Sequence, residues 1–70
     1  MGRFKYFFVK GQQFCTQHEI TVSNLVTYFN FNSSLLVLEY NNLLCNKKSW
    51  DNICIQNDDK IEIVTIVGGG

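Results

Sequence analysis

The sequence predicts an α+β domain in which one helix packs on one face of a mixed sheet of four to five strands. Three observations carry this. The order of elements is β-β-α-β-β-β, a run of strands with a single helix, which is the pattern of segregated α+β architecture. Of the 70 residues, 46% are hydrophobic, with six Phe, three Tyr and one Trp, enough for a core in so short a chain. No Pro occurs and no low-complexity stretch interrupts the pattern, so the chain reads as one domain. A domain of this size buries only about 60% of the surface that its unfolded chain exposes, so the core must be dense.

The span 4–16 reads as a hairpin. "YFFVK" is rich in β-formers, "GQQ" is a turn signal, and "FCT" returns. In "EITVSNLVTYF", Thr21 is a helix cap. Val22, Leu25, Val26 and Phe29 recur at i, i+3, i+4 and i+7, one face of a helix of roughly ten residues. "LLVLEY" is a strand, Asn41-Asn42 a turn and "LLC" a short strand. "NKKSW" makes a single helical turn, and "ICI" is a brief extended piece. "NDD" is a turn, because Asn and Asp side chains bond their own backbone there. "KIEIVTIV" is the last strand. The domain is expected over 1–67, with 68–70 a flexible glycine tail.

Alternation assigns the faces. Phe7, Val9, Phe14, Leu36, Leu38, Ile61 and Ile63 are expected against the helix, with Trp50, Ile53 and Ile55 closing the core's edge. Phe8, Leu35, Val37 and Val64 then fall on the face that a single helix leaves uncovered. A solvated face is expected to be polar, and a contiguous apolar patch on a small domain usually marks a partner. A one-residue slip in the first or third strand would swap the two faces.

Several function classes lose support. The formal net charge is zero, which does not favour nucleic acid or an anionic membrane as partner. "RFKYFFVK" interleaves bases with aromatics, as stacking platforms do, but at a strand spacing that core packing explains more simply. No segment is long and apolar enough for a bilayer span or a signal peptide. Cys15, Cys45 and Cys54 fit neither a C-x-x-C pair nor a zinc pattern and are expected to be buried, reduced thiols. His18 reads as a solvated loop residue, Asp58 and Asp59 as turn residues, and Lys47 and Lys48 as a solvated face. No constellation for catalysis or for a metal or other cofactor stands out.

The end "VTIVGGG" is different. Glycine has no Cβ, so Gly68 and Gly69 can pass extended through a narrow channel. Gly70 offers its α-carboxylate with no side chain shielding either face. Such a carboxylate, once activated by another enzyme, is open to a nucleophile in a crowded site.

The sequence resembles the sulfur carrier proteins of thiazole (thiamine) biosynthesis, the ThiS family, which have the ubiquitin-like β-grasp fold. "FFVKGQQ" matches an apolar strand that ends in a V-N-G-like turn, and "ITVSNLV" is similar to a T-V-x-x-L-L helix start. "LLVLEYNN" resembles V-A-V-E-x-N, and "NKKSW" stands where the family often has P-R-x-x-W. "NDDKIEIVTIVGGG" is similar to D-G-D-x-I-E-I-V-x-x-V-G-G-G, the most specific part. Departures are Asn46 and Lys47 for Pro and Arg, Asp58 for the turn glycine, and Glu19-Ile20 where a glycine usually precedes the T-V pair.

The resemblance implies a carrier, not an enzyme. A ThiF-type adenylyltransferase would use ATP and magnesium to adenylate Gly70, and a cysteine desulfurase pathway would supply sulfur for a C-terminal thiocarboxylate. A ThiG-type thiazole synthase would receive that sulfur. Val67, Gly68 and Gly69 would lie extended in the partner, with Phe8, Leu35, Val37 and Val64 as the docking patch. The carrier would need no cofactor of its own and would be a monomer when free. An AT-rich composition fits a plastid stroma or a bacterial cytoplasm. The alternatives are the small subunit of molybdopterin synthase and a ubiquitin-like modifier of lysines.

Overall fold

The structure is a computed structural model and describes residues 3–31 and 36–65. Strands β1 (Lys5–Val9) and β2 (Gln12–Thr16) form the first hairpin, and α1 (Val22–Tyr28) follows. Then come β3 (Leu36–Tyr40), β4 (Leu43–Cys45), a 3₁₀ turn over Lys47–Asn52, and β5 (Lys60–Thr65). The sheet order is β2-β1-β5-β3-β4. β5 runs parallel to β1 and antiparallel to β3, and both hairpins are antiparallel, so the sheet is mixed. The last strand therefore enters at the centre of the sheet, between pieces laid down earlier in the chain.

Both hairpin turns use residues with positive φ at the two central positions, Lys10-Gly11 (53° and 79°) and Asn41-Asn42 (52° and 72°). Two such residues match the right-handed twist of the flanking strands. A Cβ at Gly11 would meet nothing within 4 Å, so backbone angle alone accounts for the glycine.

Helix α1 starts where the sequence places it. Thr21 Oγ1 accepts the Asn24 N–H at 3.1 Å, and Asn24 Oδ1 accepts the Thr21 N–H at 2.9 Å, a reciprocal capping box. Its seven residues fall short of the expected ten because Asn30 takes φ 59° directly beyond it. The Asn30 N–H then bonds the Thr27 carbonyl, and the Phe31 N–H bonds that of Val26, a Schellman ending with Asn in the usual glycine place.

The faces fall as the alternation reads them. Phe7, Val9, Leu36, Leu38 and Ile61 are buried together with Val22, Leu25 and Val26 of α1. Phe14, Phe29 and Ile63 are partly buried against that core. Trp50 and Ile55 are buried and Ile53 partly so, closing the edge as expected. Trp50 Nε1 also donates to the Cys45 carbonyl at 3.2 Å. The "ICI" segment is extended but does not join the sheet. Its Ile53 carbonyl accepts from Val22 N–H, and its Ile55 N–H donates to Ile20, so it straps the chain ahead of α1.

The cysteines correct the sequence reading. Cys15 and Cys54 are exposed, and Cys45 is half-buried. Cys15 has the outward phase of β2, and Cys54 points out between inward Ile53 and Ile55. Burial pushes the Cys45 thiol up from its ordinary pKa.

Candidate functional site

The candidate site is the uncovered sheet face together with the strand that leads to the chain's end. β5 contributes Lys60, Glu62 and Val64 to this face, β3 contributes Val37 and Glu39, and β1 contributes Tyr6 and Phe8. Val37 and Val64 lie directly opposite each other in the β3–β5 pair. Val64 is 56% exposed and Val37 half-buried, so the pair forms a small apolar step on the outer surface. Phe8 is half-buried on the same face and pairs with Lys60.

The register corrects the expectation of one contiguous patch. Val64 lies four residues beyond the partner of Phe8, about 13 Å along the strand. Glu62 stands between them and faces Glu39 directly across the β3–β5 pair. Of the expected members, Phe8 and the Val37–Val64 step are thus separated by a carboxylate pair, and exposed Leu44 lies on the same face beside Glu39. Like charges directly opposite in a sheet are destabilising. Leu35, the fourth expected member, lies outside the described residues, as do Val67, Gly68, Gly69 and Gly70 and the expected boundary between 67 and 68.

What holds β5 in place is better defined. The Asp59 carboxylate is buried and accepts from the Tyr40 hydroxyl, from Asn41 Nδ2 at 3.0 Å and from the Gln56 N–H at 2.7 Å. Asn41 Oδ1 in turn accepts the Lys60 N–H at 2.8 Å. The Asn41 N–H donates to the Lys60 carbonyl at 2.8 Å. The entry to β5 is thereby tied to the β3–β4 turn. On the other side, the Asp58 N–H donates to Tyr6, the Phe8 N–H to Asp59 and the Lys10 N–H to Ile61. No buried side-chain nitrogen or oxygen among the described residues lacks a partner. The sequence reading took Asp59 for a turn residue and missed this network. Its one visible signal was the pairing of an Asn turn with a downstream Asn-Asp-Asp turn.

Burial, then the hydrogen bond to Asp59, then the charge of that carboxylate push the Tyr40 hydroxyl far above its ordinary range. This is a structural consequence of a buried acceptor, not a sign of acid–base chemistry: the hydroxyl is committed to Asp59. His18 is exposed, as expected of a loop residue, and its backbone N–H donates to Thr16 Oγ1 at 3.1 Å. Among the described residues no group of His, Cys, Asp and Glu could hold a metal ion, and no helix is long and apolar enough to cross a membrane.

Comparison with known proteins agrees with this architecture. Residues 7–70 match the ThiS family. The chain is 64% identical over 66 residues to the ycf40 protein of Trieres chinensis, covering 94% of this chain and 90% of that one. It is 34% identical over 62 residues to the ycf40 protein of Porphyra purpurea, covering 89% of this chain and 87% of that one. Among solved structures, the thiamine biosynthesis protein ThiS of Geobacter metallireducens superposes with a TM-score of 0.79 at 18% identity, over 93% of this chain and 99% of that one. With the last strand threaded into the centre of a five-stranded mixed sheet under one helix, and a family match running from Phe7 to Gly70, this chain belongs to the ThiS family of ubiquitin-like β-grasp sulfur carriers.

Proposed function

We propose that this protein carries sulfur on its terminal glycine for thiazole formation in thiamine biosynthesis. The observation that carries the reading is the extent of the family match, which takes in Val67, Gly68, Gly69 and Gly70. The central, doubly paired position of β5 supports it, because a firmly held last strand gives the residues after it a fixed point of departure. A ThiF-type adenylyltransferase, using ATP and magnesium, joins the Gly70 carboxylate to AMP with loss of pyrophosphate. A persulfide supplied through a cysteine desulfurase attacks the acyl carbon and expels AMP, and a thiol reductant cleaves the resulting acyl disulfide, so that sulfur replaces one carboxylate oxygen. A ThiG-type thiazole synthase then takes up the sulfur. The carrier is a cosubstrate in each step and holds no cofactor of its own.

Tail ordering costs on the order of 1–2 kcal/mol per residue, so binding needs a further contribution from the folded body. The Val37–Val64 step, next to the point where β5 runs toward the tail, is the part of the patch best placed to supply it. Phe8 belongs to a second contact. The ycf40 relatives come from algae, and that name denotes chloroplast reading frames, so the plastid stroma is the proposed site of action.

Mass spectrometry of the protein after incubation with ATP, a ThiF-type enzyme and a sulfur source tests the reading. The expected product has one oxygen replaced by sulfur at Gly70, and deletion of Gly70 abolishes it while leaving the unfolding transition nearly unchanged. A lysine adduct would identify a modifier instead. A thiocarboxylate consumed by a molybdopterin synthase large subunit but not by thiazole synthase would move the protein to that pathway. An unmodified terminus would overturn the carrier reading.

A further inference from the structure

One edge of the sheet is β4, and it carries two highly exposed leucines, Leu43 at 72% and Leu44 at 73%. Natural edges are usually guarded by charge, proline, a bulge or brevity. From Tyr40 to Asn46 there is no charged residue and no proline. The strand pairs with β3 in unbroken register, so brevity is the one guard that remains. Lys47, the first charge beyond it, lines a cleft with Ser23 and Thr27 of α1.

The backbone at this edge has a definite phase. Bonded and non-bonded pairs alternate along an antiparallel ladder. The two-residue Asn41-Asn42 turn closes on the bonded pair Tyr40–Leu43, so Leu38–Cys45 is bonded as well. The Asn41 N–H points the other way, to the Lys60 carbonyl, in keeping with this phase. Leu44, between the two bonded pairs, therefore turns its N–H and C=O off the edge. Its side chain lies on the outer face with Glu39, whereas Leu43 and Cys45 lie on the helix side. There Tyr40, Cys45, Ser49 and Ile53 form a groove of about 250 Å³ next to Leu43. The edge thus carries an exposed apolar knob and an apolar groove side by side.

We propose that β4 is a contact between two copies of this chain, paired antiparallel about a two-fold axis at Leu44. Each Leu44 exchanges N–H···O=C bonds with Leu44 of the other copy, and the two side chains meet on the outer face. Leu43 of one copy falls opposite Cys45 of the other, at the mouth of the groove that Cys45 lines. The fit is reciprocal, as a two-fold contact requires, because one edge supplies both knob and groove. Charge does not oppose it: the formal net charge is zero, and this register does not set Lys47 or Lys48 of one copy against those of the other. An edge of three residues falls far short of the roughly 800 Å² per partner of a stable interface, so the dimer is weak, with a Kd on the order of 0.1–1 mM. β3 separates β5 from the contact, and antiparallel pairing turns the two β5 strands in opposite directions. Each copy's Thr65 end therefore points away from the other's.

The test is a dilution series of the intact protein from about 2 mM to about 20 μM, read by amide NMR shifts and by sedimentation-equilibrium mass. A reducing buffer keeps exposed Cys15 and Cys54 from cross-linking. Expected are concentration-dependent shifts at 43–46 and a mass that rises toward that of two chains. Leu44→Lys sets like charges face to face at the axis and should weaken association at least about tenfold, at a side chain exposed enough to leave the fold intact. Leu44→Glu should do the same. An equimolar mixture of the two variants should associate more tightly than either alone, because opposite charges then meet across the axis. Val64→Lys, the same charge placed away from the edge, should leave association unchanged. The proposal is overturned by the mass of one chain throughout the series, by shifts centred on β2 at the opposite edge, or by Leu44→Lys associating like the parent. It is equally overturned by no gain in the mixture, or by Val64→Lys weakening association as much as Leu44→Lys.

Discussion

The Tyr40 hydroxyl, on β3, donates to the buried carboxylate of Asp59, just ahead of β5. This contact spans 19 positions of sequence and, with Asn41, fixes where the central strand enters the sheet. Asp59→Asn replaces one acceptor oxygen by a donor, so the three donors aimed at the carboxylate can no longer all be satisfied. A loss of about 1–3 kcal/mol is expected, read as a lower urea midpoint at unchanged slope. The same contact sets an alkaline limit. The folded state raises the ionisation of Tyr40, so the unfolded chain gives up that proton first. The contribution is complete below pH about 10, the ordinary tyrosine value, and is lost as pH rises above it. Thermal unfolding of Tyr40→Phe should show lower stability at neutral pH and a flatter decline above pH about 10 than the parent.

Asp58 occupies φ 70°, the position that the family motif gives to glycine. A side chain there crowds the following carbonyl by roughly 1–2 kcal/mol, less for Asp than for most residues. Glycine relieves this but adds freedom to the unfolded chain. Asp58→Gly is expected to stabilise by about 0.5 kcal/mol and Asp58→Ala to destabilise. Calorimetric midpoints of the two variants should therefore lie on opposite sides of the parent's.

Glu39 and Glu62 stand directly opposite each other on the uncovered face. Glu62→Gln removes the repulsion and should raise stability by about 0.2–1 kcal/mol at low salt. The gain should shrink toward zero at about 1 M salt, where the screening length falls to about 3 Å. Denaturant melts at both ionic strengths check this, and a salt-independent gain would assign the effect to packing.

Val64 is the better probe of the outer face, because Val37 is half-buried and its replacement also disturbs the sheet. Val64→Asp is expected to leave the unfolding midpoint within about 0.5 kcal/mol of the parent, as exposed positions usually do. It should raise the KM for adenylation about tenfold, with kcat little changed. Unchanged kinetics at low carrier concentration would count against this face as the docking surface.

Much of the architecture was legible in the residues alone. The 3.6-residue recurrence of Val22, Leu25, Val26 and Phe29 marked a helix face, Thr21 its start, and the period of two in β1, β3 and β5 sorted core from surface. These are local signals, set by side-chain geometry within one element, and the glycine end "VGGG" is equally local. Tertiary pairing decided the rest. Register placed Glu62 between Phe8 and Val64 and split the expected patch, because which residues become neighbours across strands is not encoded within any one strand. Chain-distant packing exposed Cys15 and Cys54, turned Asp59 from a turn residue into the anchor of β5, and opened a groove beside an uncharged edge. Periodicity says which way a side chain points. Only the assembled sheet says what it meets there.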